Sequence, residues 1–60
     1  MNKKKLARLA AGLRQIDVAI KTGFTPSYIS YVENDLIEPT PERAKKLNKI
    51  LGQRVYNENA

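Results

Sequence analysis

Sixty residues carry eleven lysines and arginines against six aspartates and glutamates, a formal net charge of +5, with no cysteine and no histidine. A chain this short buries only about 60 % of the surface its unfolded form exposes and retains about 3–5 kcal/mol of net stability, so it supports one domain on one small core. The missing residue types exclude disulfide staples, thiolate metal sites, imidazole bases and the usual nucleophile–base pairs; neither catalysis nor a metal, a cofactor or a small-molecule ligand is expected.

The first predicted helix covers residues 3–11, with Leu6, Leu9 and Ala10 at helical spacing and Gly12 available for a left-handed stop. Leu13 turns the chain inward. A second helix covers 15–22, with Val18 and Ala19 as its best core candidates, and Gly23 ends it. Phe24 is read as a buried plug in the turn. Thr25 caps the next helix through its hydroxyl, and Pro26 suits the first helical position, whose N–H has no intrahelical partner to lose. The third helix covers 26–33. Its Ile29 and Val32 share an inward face, leaving Ser27, Tyr28, Ser30 and Tyr31 for the other sides.

Residues 34–39 form a loop, after which Thr40-Pro41 repeats the opening device, followed by Glu42 at the positive end of the helix dipole. The fourth helix covers 41–51, with Ala44, Leu47, Ile50 and Leu51 on one stripe and Gly52 past its end. Residues 53–60 are short and polar, a weakly ordered tail in which Val55 and Tyr56 pack or pair. The whole chain reads as a single all-α domain, a compact bundle of four short helices, or five if the tail adds one. Helix, glycine-centred turn and Thr-Pro-opened helix over residues 15–33 have the sequence form of a helix-turn-helix, whose second helix is shaped for the DNA major groove.

Charge is uneven along the chain. Residues 1–30 hold Lys3, Lys4, Lys5, Arg8, Arg14 and Lys21 against Asp17, a net +5, whereas residues 31–60 hold five bases and five acids. A basic excess confined to the helix-turn-helix half suits a polyanion-facing surface, because each cation near a phosphate releases condensed counterions; a solvated face with a basic tail gives the same composition. No apolar run approaches the ~18 residues that cross a bilayer, and Lys3-Lys4-Lys5 is followed by no signal-type apolar stretch, so a soluble protein of the bacterial cytoplasm, acting at the nucleoid, is expected.

The ordered set Gly12-Leu13, Gln15, Val18-Ala19, Gly23-Phe24-Thr25, Ile29-Ser30 and Glu33-Asn34, then Pro39 and Leu51-Gly52, resembles the lambdoid phage repressor and Cro family of Xre-type regulators across about residues 6–52. The resemblance implies a lambda repressor-like DNA-binding domain whose third helix sits in the major groove while the second lies across the backbone. It further implies a homodimer on a two-fold symmetric double-stranded operator. By position, Gln15 would hold a phosphate with its amide and the helix-end N–H groups. Arg8 and Glu33 would form a structural ion pair between the first helix and the end of the third. Positions 26, 27 and 31 match base-reading places, so Pro26, Ser27, Tyr28 and Tyr31 are the candidate base contacts: Pro26 for a thymine methyl, Ser27 at close range, the tyrosines through hydroxyl and ring. Arg14, Lys3, Lys4, Lys5, Lys21 and Arg43 are the candidate phosphate contacts.

Departures from the family pattern carry expectations of their own. Third-helix surface positions hold no Arg, Lys, Asn or Gln, so specificity is expected to be modest or to lean on DNA shape. Asp35 stands where relatives have glycine, at a position needing a left-handed backbone. Arg14 replaces a small capping residue, which weakens that cap. Leu36 and Ile37 replace basic residues and are either buried or in contact with a partner. Leu6, Ile16 and Ile20 replace polar residues; completing the core is favoured over an exposed interface, since a small domain needs every buried methylene. Relatives continue into a fifth helix that helps pair subunits, and Glu58 falls where its core leucine would stand. The sequence therefore points to a transcriptional regulator acting by operator occupancy, Cro-like or repressor-like, of a phage or mobile element. An antitoxin-like or adaptor module and a recombination-accessory or architectural DNA-binding protein are the alternatives.

Overall fold

Helix starts are set by side chains that accept the first orphan N–H groups. In the computed structural model, which describes residues 2–59, Asn2 opens α1 (Lys3–Ala10) by accepting from the N–H groups of Lys4 and Lys5. Thr25 opens α3 (Pro26–Glu33) by accepting from Tyr28, and Thr40 opens α4 (Pro41–Leu51) by accepting from Arg43, each with proline at the first helical position. α2 (Gln15–Thr22) starts differently: Arg14 has no acceptor to offer, and instead its backbone N–H donates to the Asp17 carboxylate at 2.8 Å. Gly23, at φ +80°, reverses the chain after α2 with its N–H on the Ala19 carbonyl, and this tight turn delivers α3 across α2. Asp35 adopts φ +60° at the end of α3, the one non-glycine residue in the left-handed region among those described.

α2 packs against both α3 and α4. The core is Ala7, Val18, Ala19, Ile29, Val32, Ala44, Leu47, Leu51 and Tyr56, with Leu13, Phe24, Tyr28 and Val55 half-buried against it. Small residues at 7, 19 and 44 let helix backbones approach, while Ile29, Leu47, Val18 and Val32 fill the middle. Among the described residues the chain is all-α, with four helices and none in 53–59; Ala60 of the expected tail lies outside them.

Several expectations about burial are overturned. α1 does not turn its leucines inward. Leu6 and Leu9 are 42 % and 53 % exposed and Ala10 is exposed, while the inward face is Ala7 with Arg8. Ile16 and Ile20, expected to complete the core, are 42 % and 73 % exposed, because the opposite face of α2 is already filled by Val18, Ala19 and Thr22. Leu36 and Ile37, read as either buried or in contact with a partner, are exposed, which removes the first alternative only. Phe24 is half-buried rather than a buried plug.

The apolar volume those residues leave unfilled is supplied by Tyr56. Asn48, on the inward face of α4, holds the tail segment: its Oδ1 accepts from the N–H groups of Val55 and Tyr56, both at 2.9 Å, and its Nδ2 donates to the Tyr56 carbonyl at 2.9 Å and to Glu58 at 2.7 Å. One buried amide thereby satisfies three backbone groups that have no helix or strand to pair them. Glu58, at the place of a fifth-helix core residue, also lies 3.7 Å from Arg54.

Candidate nucleic-acid interface

α3 exposes its side chains unequally. Ile29 and Val32 are fully buried beneath it, and Pro26, Ser27 and Tyr31 face solvent, Tyr31 at 46 % exposure. Ser30 is half-buried, and its carbonyl accepts from the Asn34 amide. Tyr28 is not free: it is half-buried and meets Phe24 edge to face, with ring centres 5.2 Å apart, and the Arg43 guanidinium lies 5.3 Å from its ring centre. The freely presented part of α3 is thus a proline, a serine and one phenol.

The C-terminal end of α3 is fixed from beneath. Arg8, 7 % exposed, donates to Glu33, 3 % exposed, from Nε at 2.5 Å and from Nη2 at 3.3 Å, and spends Nη1 on the Leu13 carbonyl at 2.9 Å. The Gln15 amide donates to the same carboxylate at 3.4 Å. Asn2 donates its amide to the Glu33 carbonyl while its oxygen caps α1, so one side chain ties the start of α1 to the end of α3. A buried ion pair with its remaining donors satisfied costs desolvation but fixes geometry. Here it ties the C-terminal end of α3 to α1 and to the start of α2.

At the start of α2 no side chain caps the first-turn N–H groups, and Gln15 is half-buried beside them. This leaves backbone donors and a helix dipole directed at solvent, the arrangement that suits a phosphate oxygen. Arg14 lies next to them, but its guanidinium is paired with Asp17 at 3.0 Å from both Nε and Nη2, a bond that holds the Asp17 carboxyl down to about 2.

Among the described residues ion pairs redistribute the charge that the sequence placed in the first half. Glu33 answers Arg8, Asp35 answers Lys4, Asp17 answers Arg14, and Glu58 answers Arg54. Lys4 moreover lies over the Tyr56 ring at 5.2 Å, so it is committed to the scaffold. The cations left without a carboxylate are Lys3, Lys5 and Lys21 in the first half and Arg43, Lys45, Lys46 and Lys49 on α4, and the unpaired acids are Glu38 in the loop before α4 and Glu42 in its first turn. The basic surface is therefore shared with α4 and is not confined to residues 1–30. Lys46 was not among the candidate contacts, although its position three residues after Arg43 on one helix face was readable. Its ammonium lies 5.6 Å from the Phe24 ring centre and donates to the Thr22 carbonyl at 3.3 Å.

A glycine-turned helix pair, an outward second helix locked from below, uncapped donors at the first helix and a surplus of cations around them define a DNA-binding domain of the helix-turn-helix class. A helix-turn-helix family model matches residues 4–55, and the chain belongs to that family, the Cro/C1-type regulators that include the lambdoid repressors. No curated protein and no solved structure matches the chain. Membership establishes a DNA-binding regulator in general terms. No helix among the described residues is long and apolar enough to cross a membrane.

Proposed function

We propose that the chain is a Cro-like or repressor-like regulator that occupies an operator and blocks transcription from it, and that it does so as a homodimer. The single observation that supports this best is the Arg8–Glu33–Gln15 network, which spends two buried charges and an amide on the orientation of one eight-residue helix. Such a pair contributes little net stability over an apolar replacement, and it fixes the position of the helix that carries it.

In this reading α3 lies in the major groove with Ser27 and Tyr31 toward base edges and Pro26 toward a thymine methyl. Gln15 and the N–H groups beside it take one backbone phosphate, and Lys3, Lys5, Lys21 and Arg43 add contacts. Tyr28, braced by Phe24, positions rather than reads, and Arg14 and Lys4 contribute less than their charge suggests because each has a carboxylate partner. With no amide or guanidinium on the free face of α3, the preference between sequences is modest and DNA shape carries part of it.

The test is a protection footprint on DNA flanking the protein's own gene. Two protected half-sites about 34–36 Å apart on one face of the duplex support the operator reading. Uniform, salt-sensitive coverage of every duplex supports an architectural role instead.

A further inference from the structure

Two stretches far apart in sequence bring two rings and two cations together: the α2–α3 turn with the first turn of α3, and the first half of α4. Phe24 and Tyr28 meet edge to face, the Arg43 guanidinium lies 5.6 Å from the first ring centre and 5.3 Å from the second, and the Lys46 ammonium lies 5.6 Å from Phe24. A shallow cleft of about 240 Å³ opens between Phe24, Glu42, Arg43 and Lys46. Among the described residues neither cation has a carboxylate within ion-pairing distance.

An aromatic face attracts a cation through its quadrupole but accepts no strong hydrogen bond, so a guanidinium held over rings keeps its N–H edges available. That separates this pair from Arg8 and Arg14, whose guanidinium groups donate to carboxylates. Arg43 and Lys46 lie three apart on one helix face, where like charges repel, and an anion between them removes that cost. Holding both side chains in place before binding also reduces the ordering cost that a flexible surface lysine meets on contact.

We propose that Arg43 and Lys46, braced on Phe24 and Tyr28, form a grip for one phosphodiester of the DNA backbone, and that the rings make this grip move as one body with the recognition helix. The proposal rests on the DNA-binding reading above. It adds Lys46 as a contact, assigns Phe24 and Tyr28 as positioning residues, and identifies Glu42, the carboxylate lining the same cleft, as a brake on anion binding.

The experiment measures the affinity of the full chain for a short mixed-sequence duplex across a salt series, with circular-dichroism melting of every variant. Arg43→Gln and Lys46→Gln should each lower the slope of log K against log salt by about one and weaken binding about five- to tenfold at 0.1 M salt. Phe24→Leu, which keeps an apolar side chain and removes the ring, should weaken binding about two- to fivefold. Glu42→Gln should tighten binding, and Lys49→Gln, a cation of the same helix outside the cleft, should fall short of both cleft variants in its effect on the slope. If Arg43→Gln and Lys46→Gln melt like the parent and leave slope and affinity unchanged while Gln15→Ala and Tyr31→Phe weaken binding, the grip is wrong and the DNA reading stands. If the parent chain binds no duplex even at low salt, both fall together.

Discussion

Glu33 is the residue on which most of the interface geometry converges. Its carboxylate takes donors from Arg8 and Gln15, and its carbonyl takes the Asn2 amide, so α1, α2 and α3 meet at one buried anion. Removing the cation leaves that anion uncompensated, at a cost of about 3–5 kcal/mol, which equals the whole stability available to a domain of this size. Arg8→Ala is therefore expected to be largely unfolded at room temperature in urea titration, and to lose DNA affinity with its fold. Arg8→Met combined with Glu33→Leu should fold again, since apolar residues of similar volume often replace a buried pair without loss. A melting transition unchanged in Arg8→Ala would remove the scaffold role. Asp35 illustrates a smaller effect: at φ +60° it tolerates a left-handed backbone that a β-branched residue does not, and its carboxylate is spent on Lys4.

Element by element, the start of α2 lacks the usual side-chain cap, whereas α4 ends on a left-handed Gly52 and the segment after it is held by a side chain. Asp17 accepts from the Arg14 N–H while the first-turn N–H groups stay uncapped, and hydrogen bonding to the Arg14 side chain and N–H lowers its pKa from 3.8 to about 2. A carboxyl with a depressed folded-state pKa contributes stability that is complete above its unfolded value, near 4, and is lost as pH falls toward about 2. Asp17→Asn should accordingly be less stable than the parent at pH 6, and the gap in urea midpoints should narrow between pH 4 and about 2; a gap independent of pH would mean that the charge plays no part. At the other end, Asn48 replaces a fifth helix by pinning Val55 and Tyr56 through their backbone. Burial among these partners, reinforced by the negative charges of Glu33 and Asp35, pushes the Tyr56 hydroxyl above its ordinary pKa. Asn48→Ala frees the tail and leaves buried backbone groups without partners, at about 1–3 kcal/mol for each such group that stays buried. Loss of Tyr56 protection, read by tyrosine fluorescence quenching at temperatures where the helices persist, checks this.

At the scale of the molecule, surplus charge and surplus apolar surface are the two properties left over after folding. Four ion pairs, two between distant segments and two within a single turn of chain, absorb four carboxylates, and what remains positive surrounds the helix-turn-helix and runs along α4. Leu36 and Ile37, on the α3–α4 loop, are 71 % and 42 % exposed. Under the homodimer proposal they are apolar surface available for a second copy, and a combined Leu36→Ser and Ile37→Ser variant should keep its melting temperature while losing association in sedimentation equilibrium and cooperative occupation of paired half-sites. Association undiminished in that variant would place the dimer contact elsewhere.

Helix identity and helix ends were legible in the sequence because they depend on chemistry within a few residues: Thr25 and Thr40 accept from the third N–H ahead, proline stands at the first position, and glycine ends α2 with a left-handed turn. The helix-turn-helix was legible for the same reason. Which face of α1 turned inward was not, and neither were the exposure of Ile16 and Ile20, the aromatic bracing of Arg43, nor the Asn48 amide that holds Val55 and Tyr56. Sequence periodicity shows that a helix has an apolar side, but burial is decided by which neighbour arrives there first, and a lysine's charge is available or spent according to a carboxylate thirty residues away.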